Sequence, residues 1–412
     1  MATEGFRTSG RTLLVLLAAL VVCGPACAQH LFTILPHQIK GDEIPGTFMR
    51  PQYQIQLAAA SSEGGPPSTA FAPSEMRHAY GFDQISNQGA GQIIGIVDAY
   101  DDPNAEADLG VFDAQFGLPA CTSANGCFRK VYSNGQQPAA NSNWAVEIAL
   151  DIEWAHSIAP HATILLVETP TNSLTNLLAG VQTAVRNGAS AVSMSWTVNE
   201  FPSERNYDNQ FVASGVTFLA AAGDNGTGVS YPAASPDVIG VGGTSLHLAS
   251  NGNYQSETAW GGSGGGLSKF EPEPLFQAQF PIPYDWKGYR STPDVSFDAD
   301  PGTGVAVYDS VGVSGNAGWF QVGGTSAGTP QWAALIAIVN ETRAAAGKAA
   351  LASADTSLYT IGKSAVAIDF NAVATTTNGT FRTLSTAGAG YRFLTGLGTP
   401  QAGTLIAALA AW

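Results

Sequence analysis

Apolar runs alternate with helical patterns along most of this chain. Residues 92–97 read as a buried strand ending at Asp98, and residues 162–167 as another. Residues 143–158 carry apolar side chains at helical spacing. Residues 173–186 read as a helix stopped by Gly188. Residues 191–195, 216–221 and 238–241 are further strands. Strands that are apolar throughout are buried on both faces. Alternated with helices, they predict an α/β fold with a parallel sheet covered on both sides. Ligands in such folds bind beyond the carboxyl ends of the strands. Ser195, the Gly223-Asp224 pair and the loop before Ser326 fall at strand ends or helix starts. The pattern stays uniform over 72–412, enough for one large domain. Residues 29–71 read as a short N-terminal extension with little core, closing on a Ser/Gly/Pro-rich linker at 61–69.

The first 28 residues follow a different logic. Arg7 and Arg11 precede an apolar run over 12–22, and Ala26-Cys27-Ala28 offers a small-residue cleavage site. This predicts a secretory signal peptide over 1–28. The run is too short for a membrane span, so the mature chain is expected secreted or periplasmic, with no membrane attachment. Two cysteines remain after cleavage, Cys121 and Cys127. In an exported protein they read as a small disulfide loop.

Charge narrows the partners. The formal net charge is −15, with only 17 Lys and Arg. That balance argues against nucleic acid and anionic membranes. It also suits acid, where protonated carboxyls bring the chain toward neutrality.

Three places carry candidate chemistry. Gly323-Gly324-Thr325-Ser326 runs into an apolar stretch beginning at Pro330. The sequence predicts Ser326 and Pro330 in the first turn of a helix, where a proline loses no hydrogen bond and the helix dipole favours an ionised serine oxygen. Glu147 and Asp151 are four apart on one helical face, amid Trp144, Ala145, Val146, Ile148 and Ile152. Paired carboxyls in a poorly hydrated place push their pKa values apart, which suits acid–base work; the plain alternative is a solvated acidic face. Asp224 follows a buried strand in a Gly-rich turn. It is either a turn former or, protonated, a donor to an oxyanion.

The order Glu147-x3-Asp151 on a helix, Gly223-Asp224 after a strand and Gly-Thr-Ser326-x3-Pro resembles the sedolisin family of serine-carboxyl peptidases. Supporting segments are Ser157-Ile158-Ala159-Pro160, Tyr231-Pro232-Ala233-Ala234, Val241-Gly242-Gly243-Thr244, Thr292-Pro293-Asp294 and Thr395-Gly396-Leu397-Gly398. The resemblance covers roughly 72–412. It implies a subtilisin-like three-layer fold with a mostly parallel seven-stranded sheet flanked by helices. It also implies a secreted endopeptidase, a monomer acting on protein or peptide substrates at acidic pH. Ser326 would be the nucleophile, Glu147 its base, Asp151 the orienting acid and Asp224 the neutral acid of the oxyanion hole. Asp98 sits where the subtilisin aspartate would, but no His-Gly-Thr-His segment follows, so Asp98 is expected to be structural. A catalytically silent, peptide-binding relative is the alternative.

The chain departs from that family in two places. The implied calcium locus maps to Asp369, Phe370, Gly388 and Gly390, with Arg392 where an aspartate is usual. Calcium needs anionic oxygen ligands, so no metal is expected and no cofactor is required; Arg392 is expected to pair with Asp369 instead. Residues 29–71 are also much shorter than the family's pro-domain.

Overall fold

The computed structural model describes Met1 and residues 33–34, 48–56, 64–226, 228–282, 287–351, 354–374 and 390–412. The expected signal peptide lies outside the described residues but for Met1, as does Gly388 of the calcium locus.

The apolar runs pair as their pattern requires. The central sheet runs Phe128–Tyr132, Thr163–Thr169, Ile93–Ala99, Ala191–Met194, Thr217–Ala221, Ile239–Leu248, with Val295–Asp298 also paired to Ile239–Leu248. All these contacts are parallel. The sheet has eight strands, because Tyr254–Ala259 adds an antiparallel strand to Ile239–Leu248. That strand is polar through its middle, Gln255 to Thr258, and gives no buried-strand signal.

The helices Ser142–Ile158 and Thr325–Ala345 pack against each other and join one apolar cluster, while Leu174–Arg186 belongs to a second cluster. The three layers follow from these two cores. Asn141 caps the first helix by accepting from the Asn143 and Trp144 amides; Ser173 caps Leu174–Arg186. Cys121 and Cys127 form the expected disulfide. No helix among the described residues is long and apolar enough to cross a membrane.

Two local expectations change. The serine helix starts at Thr325, so Pro330 is its sixth residue, inside the helix rather than in its first turn. Its missing N–H therefore leaves the Ser326 carbonyl without the usual i+4 donor. The N-terminal extension is not coreless either. Met49, Tyr53 and Ile55 are buried, and residues 48–56 run as an extended segment in the body of the protein.

Candidate active site

Ser326 stands at the second position of a long helix, just after the strand Asn316–Gly323. Gly324 makes the turn between them at φ +106°, a left-handed conformation that favours glycine. A Cβ there would also collide with the Gln52 carbonyl oxygen and with Asp224 Oδ2. Ser326 Oγ donates to the Ser195 carbonyl at 3.3 Å, and its backbone N–H donates to the Gln52 carbonyl at 3.0 Å.

Glu147 and Asp151 face inward from the helix Ser142–Ile158 and are wholly buried. Solvated acids on an exposed face are thereby ruled out. Asp151 Oδ1 accepts from Ser195 Oγ at 2.7 Å, and Asp151 Oδ2 has no partner. Both oxygens of Glu147 lack a hydrogen bond. The Ser326 side chain stands beside Glu147 and pulls its carboxyl down, yet the hydroxyl itself is turned to Ser195. Burial pushes Glu147 well above the usual carboxyl range, with the charges of Asp151 and then Asp98 adding to it. Burial likewise raises Asp151, and Asp98 raises it further.

Asp98, expected to be structural, adds a further carboxyl to this group. It lies within the strand Ile93–Ala99, fully buried, with neither oxygen partnered. Burial pushes it up to about 8. Three carboxyls thus share one dry volume and cannot all be charged. The available signal was the charge itself, in an otherwise apolar strand.

Asp224 follows the strand Thr217–Ala221 and is nearly buried. Its Oδ1 accepts from the Thr325 N–H and from Thr325 Oγ1, each at 2.8 Å. Its Oδ2 has no partner among the described residues and lies beside Gly324. Burial pushes the carboxyl up to about 7, against the lowering effect of Thr325. In the neutral acid the proton sits on Oδ2, since Oδ1 already accepts two donors. Sequence reading missed Thr325 as its holder.

The structure therefore brings Ser326, Glu147, Asp151 and Asp224 together and adds Asp98. The charges acting on Glu147 come from Asp151, Asp98 and Asp224, with no histidine among them. His78 and His156 bond elsewhere, to Asp83 and Asn253 and to the Pro119 carbonyl.

Arg392 stands at the implied calcium locus, of which Gly388 lies outside the described residues. Arg392 Nη1 donates to the Val373 carbonyl, and the guanidinium shares with Gly390 and Phe370 the lining of a cavity of about 220 Å³. Asp369 does not line that cavity. The expected Arg392–Asp369 ion pair is absent among the described residues. A second acidic group, Asp102, Asp108 and Asp309, mostly accepts from neighbouring backbone amides and Ser310.

A parallel α/β sheet with a serine heading a buried helix, and carboxyls around it, defines a subtilisin-like fold with an acidic centre. The subtilase-family signature matches residues 138–390. Kumamolisin of Bacillus sp. (strain MN-32) is 34% identical over 332 residues, 71% of this chain and 57% of that one. Sedolisin of Pseudomonas sp. (strain 101) is 35% identical over 147 residues, 30% of this chain and 24% of that one. The solved structure of Pseudomonas sedolisin, a serine-carboxyl proteinase complexed with two molecules of pseudo-iodotyrostatin, superposes with a TM-score of 0.70 at 26% identity, over 83% of this chain and 98% of that one. The chain belongs to the subtilase family, in its sedolisin branch. It spans less than two thirds of the length of the curated relatives it matches.

Proposed function

We infer that this chain is a secreted serine endopeptidase that cleaves peptide bonds at acidic pH. One observation carries the reading: Ser326 lies beside Glu147, whose two buried oxygens have no other partner. A buried carboxyl without a bond is costly, and groups kept in that state cluster at functional sites.

In this reading Ser326 Oγ attacks the substrate carbonyl carbon while Glu147 takes the hydroxyl proton and passes it to the leaving amine. Asp151, held through Ser195 Oγ, shares the proton load with Glu147; Asp98 sets the charge both can carry. The Ser326 N–H and protonated Asp224 Oδ2 receive the oxyanion. Because the bases are carboxyls, the chemistry runs below the range of a histidine base. Protein or peptide segments are the substrates, and no metal takes part, since Arg392 occupies the calcium locus. The mature chain is read as an extracytoplasmic monomer.

The test is proteolysis of a denatured protein across pH by the parent and by Ser326→Ala. The variant should lose activity on the order of 10⁶-fold, the scale for removing such a serine in subtilisin. Proteolysis retained in the variant, or an optimum above neutrality, refutes the reading.

A further inference from the structure

The sequence leaves Arg392 without an acid of its own. From Asn371 to Trp412 the chain has two arginines, Arg382 and Arg392, and neither Asp nor Glu, in a protein of net charge −15. The last acid before that stretch, Asp369, does not line the cavity beside Arg392. We propose that this cavity binds a small oxyanion, an inorganic sulfate or phosphate or a carboxylate, between the Arg392 guanidinium and the Thr395 hydroxyl.

Other buried cations in this fold have acids. Arg290 is fully buried and donates from Nη1 and Nη2 to Asp294 at 2.7 and 2.5 Å. Lys130 is paired with Asp101 and Glu168. Arg392 is half-buried, and burial lowers its pKa with no carboxyl acting against that effect. Among the described residues its guanidinium has one partner, the Val373 carbonyl, which takes Nη1. Nε and Nη2 remain, the edge on which an arginine can hold two oxygens of one anion. A cation withdrawn from water without a counter-charge is costly, and a bound anion removes that cost.

The cavity supplies room and a second donor. Its volume is about 220 Å³, against the roughly 10–15 Å³ that a single water needs. Thr395 also lines it, is 1% exposed, and has a hydroxyl with no partner among the described residues. Buried hydroxyls are seldom left unbonded. Val366, Phe370 and Leu397 contribute apolar walls, so a charge held here is screened less than one at the surface. A cation in this space would meet Arg392 as a like charge. An oxyanion accepts from both the guanidinium and the hydroxyl.

An ion held here ties two segments together. The Arg392 N–H donates to the Gly396 carbonyl at 2.9 Å and the Gly396 N–H donates back to the Arg392 carbonyl at 2.7 Å, closing a short turn. That turn is docked on the body of the protein. The Leu397 N–H donates to the Asp294 carbonyl at 2.8 Å, and Ser263 Oγ donates to the Leu394 carbonyl at 2.9 Å. Beside Ser263, the Gly264 N–H donates to the carbonyl of Gly223 at 2.7 Å, one residue before Asp224. The anion thus fastens residues 370–373 to a turn that backs the Asp224 loop. It does with negative charge what a metal would do at the implied locus with positive charge.

The experiment titrates sodium sulfate, sodium phosphate and sodium acetate into the purified full chain carrying Ser326→Ala. Isothermal calorimetry is run at mildly acidic pH, with chloride holding the ionic strength constant. The expected result is saturable uptake of one ion per chain, and a Tm that keeps rising with ion concentration past saturation. Tighter sulfate or phosphate assigns an inorganic ion, and tighter acetate assigns a carboxylate. Adding Arg392→Gln should raise Kd by about 10- to 100-fold, the scale of a charge-assisted hydrogen bond, and Thr395→Val should raise it several-fold. Near-UV circular dichroism confirms the fold of each variant, and Thr395→Val, which keeps the side-chain shape, carries the test if Arg392→Gln does not fold. Absence of saturable uptake, uptake unchanged in the folded variants, or saturable uptake of calcium in the same sample overturns the inference. So does a sulfate-induced rise in Tm that Arg392→Gln shares in full, since an excluded salt stabilises any fold. Each of these results leaves the peptidase reading standing.

Discussion

Asp224 offers the sharpest test of the chemistry. Burial moves its carboxyl from 3.8 to about 7. That is about 4 kcal/mol of preference for the neutral form. The acid is half neutral near its pKa and about one-tenth neutral a unit above. If its Oδ2 proton supplies an oxyanion bond, kcat/KM of the parent should fall through and above neutrality, about tenfold per pH unit. Asp224→Asn keeps an oxygen for the two Thr325 donors and puts an amide N–H where Oδ2 was. It should lose that alkaline fall. Asp224→Ala should lose roughly 10²- to 10³-fold in kcat at acidic pH, the scale for one oxyanion donor. The assay is kcat/KM on a soluble peptide, with each variant kept well below its melting temperature. An Asn variant with the parent's alkaline limb, or an Ala variant as active as the parent, would mean that Asp224 only forms a turn.

Asp98→Asn removes a negative charge that raises both Glu147 and Asp151. The acid limb of kcat/KM should move to lower pH with the fold retained, whereas an unmoved limb leaves Asp98 structural. The pH dependence of stability has a definite sign: burial pushes Asp98 and Asp355 up to about 8, Glu168 up to about 9 and Asp102 up to about 7. Between about pH 4 and these values the folded chain binds more protons than the unfolded one, so stability is complete in acid and falls as pH rises through the window. Calorimetry of Ser326→Ala, which cannot digest itself, should show Tm declining from acid to alkaline pH; a rising Tm refutes the buried-proton account. Excess EDTA should leave Tm unchanged, because Arg392 stands in the calcium locus; a clear drop would show bound metal stabilising the fold by mass action.

What the sequence could show follows from range. Glu147 and Asp151 were readable because helical spacing is local and their flanks are apolar. The strand cores at Ile93–Ala99 and Thr163–Thr169 were readable because burial on both faces leaves an unbroken apolar run. Ser326 was readable from its neighbours, but the helix start was not, and Pro330 moved from the first turn to the second. The segment 48–56 was unreadable as a strand. Its pairing partners, Trp196 and Val322, lie far along the chain, and Arg50, Pro51 and Gln52 give it a polar look. Asp98 was legible as a lone charge inside an apolar strand, but Glu147 and Asp151, whose carboxyls it raises, lie on another element, so that effect was not legible.

Acid ties activity and stability to one condition. A histidine base is cationic in acid and cannot accept a proton there. A carboxyl cluster holding more acids than it can charge keeps a base available as pH falls, because the neighbours take protons first. The same burial that raises those pKa values makes the ionised cluster expensive, so alkaline pH both takes the donor proton from Asp224 and loads charge into the core. The segment 48–56 adds to that burial: Gln52 and Tyr53 cover Ser326, Asp224 and Glu147 with protein instead of water.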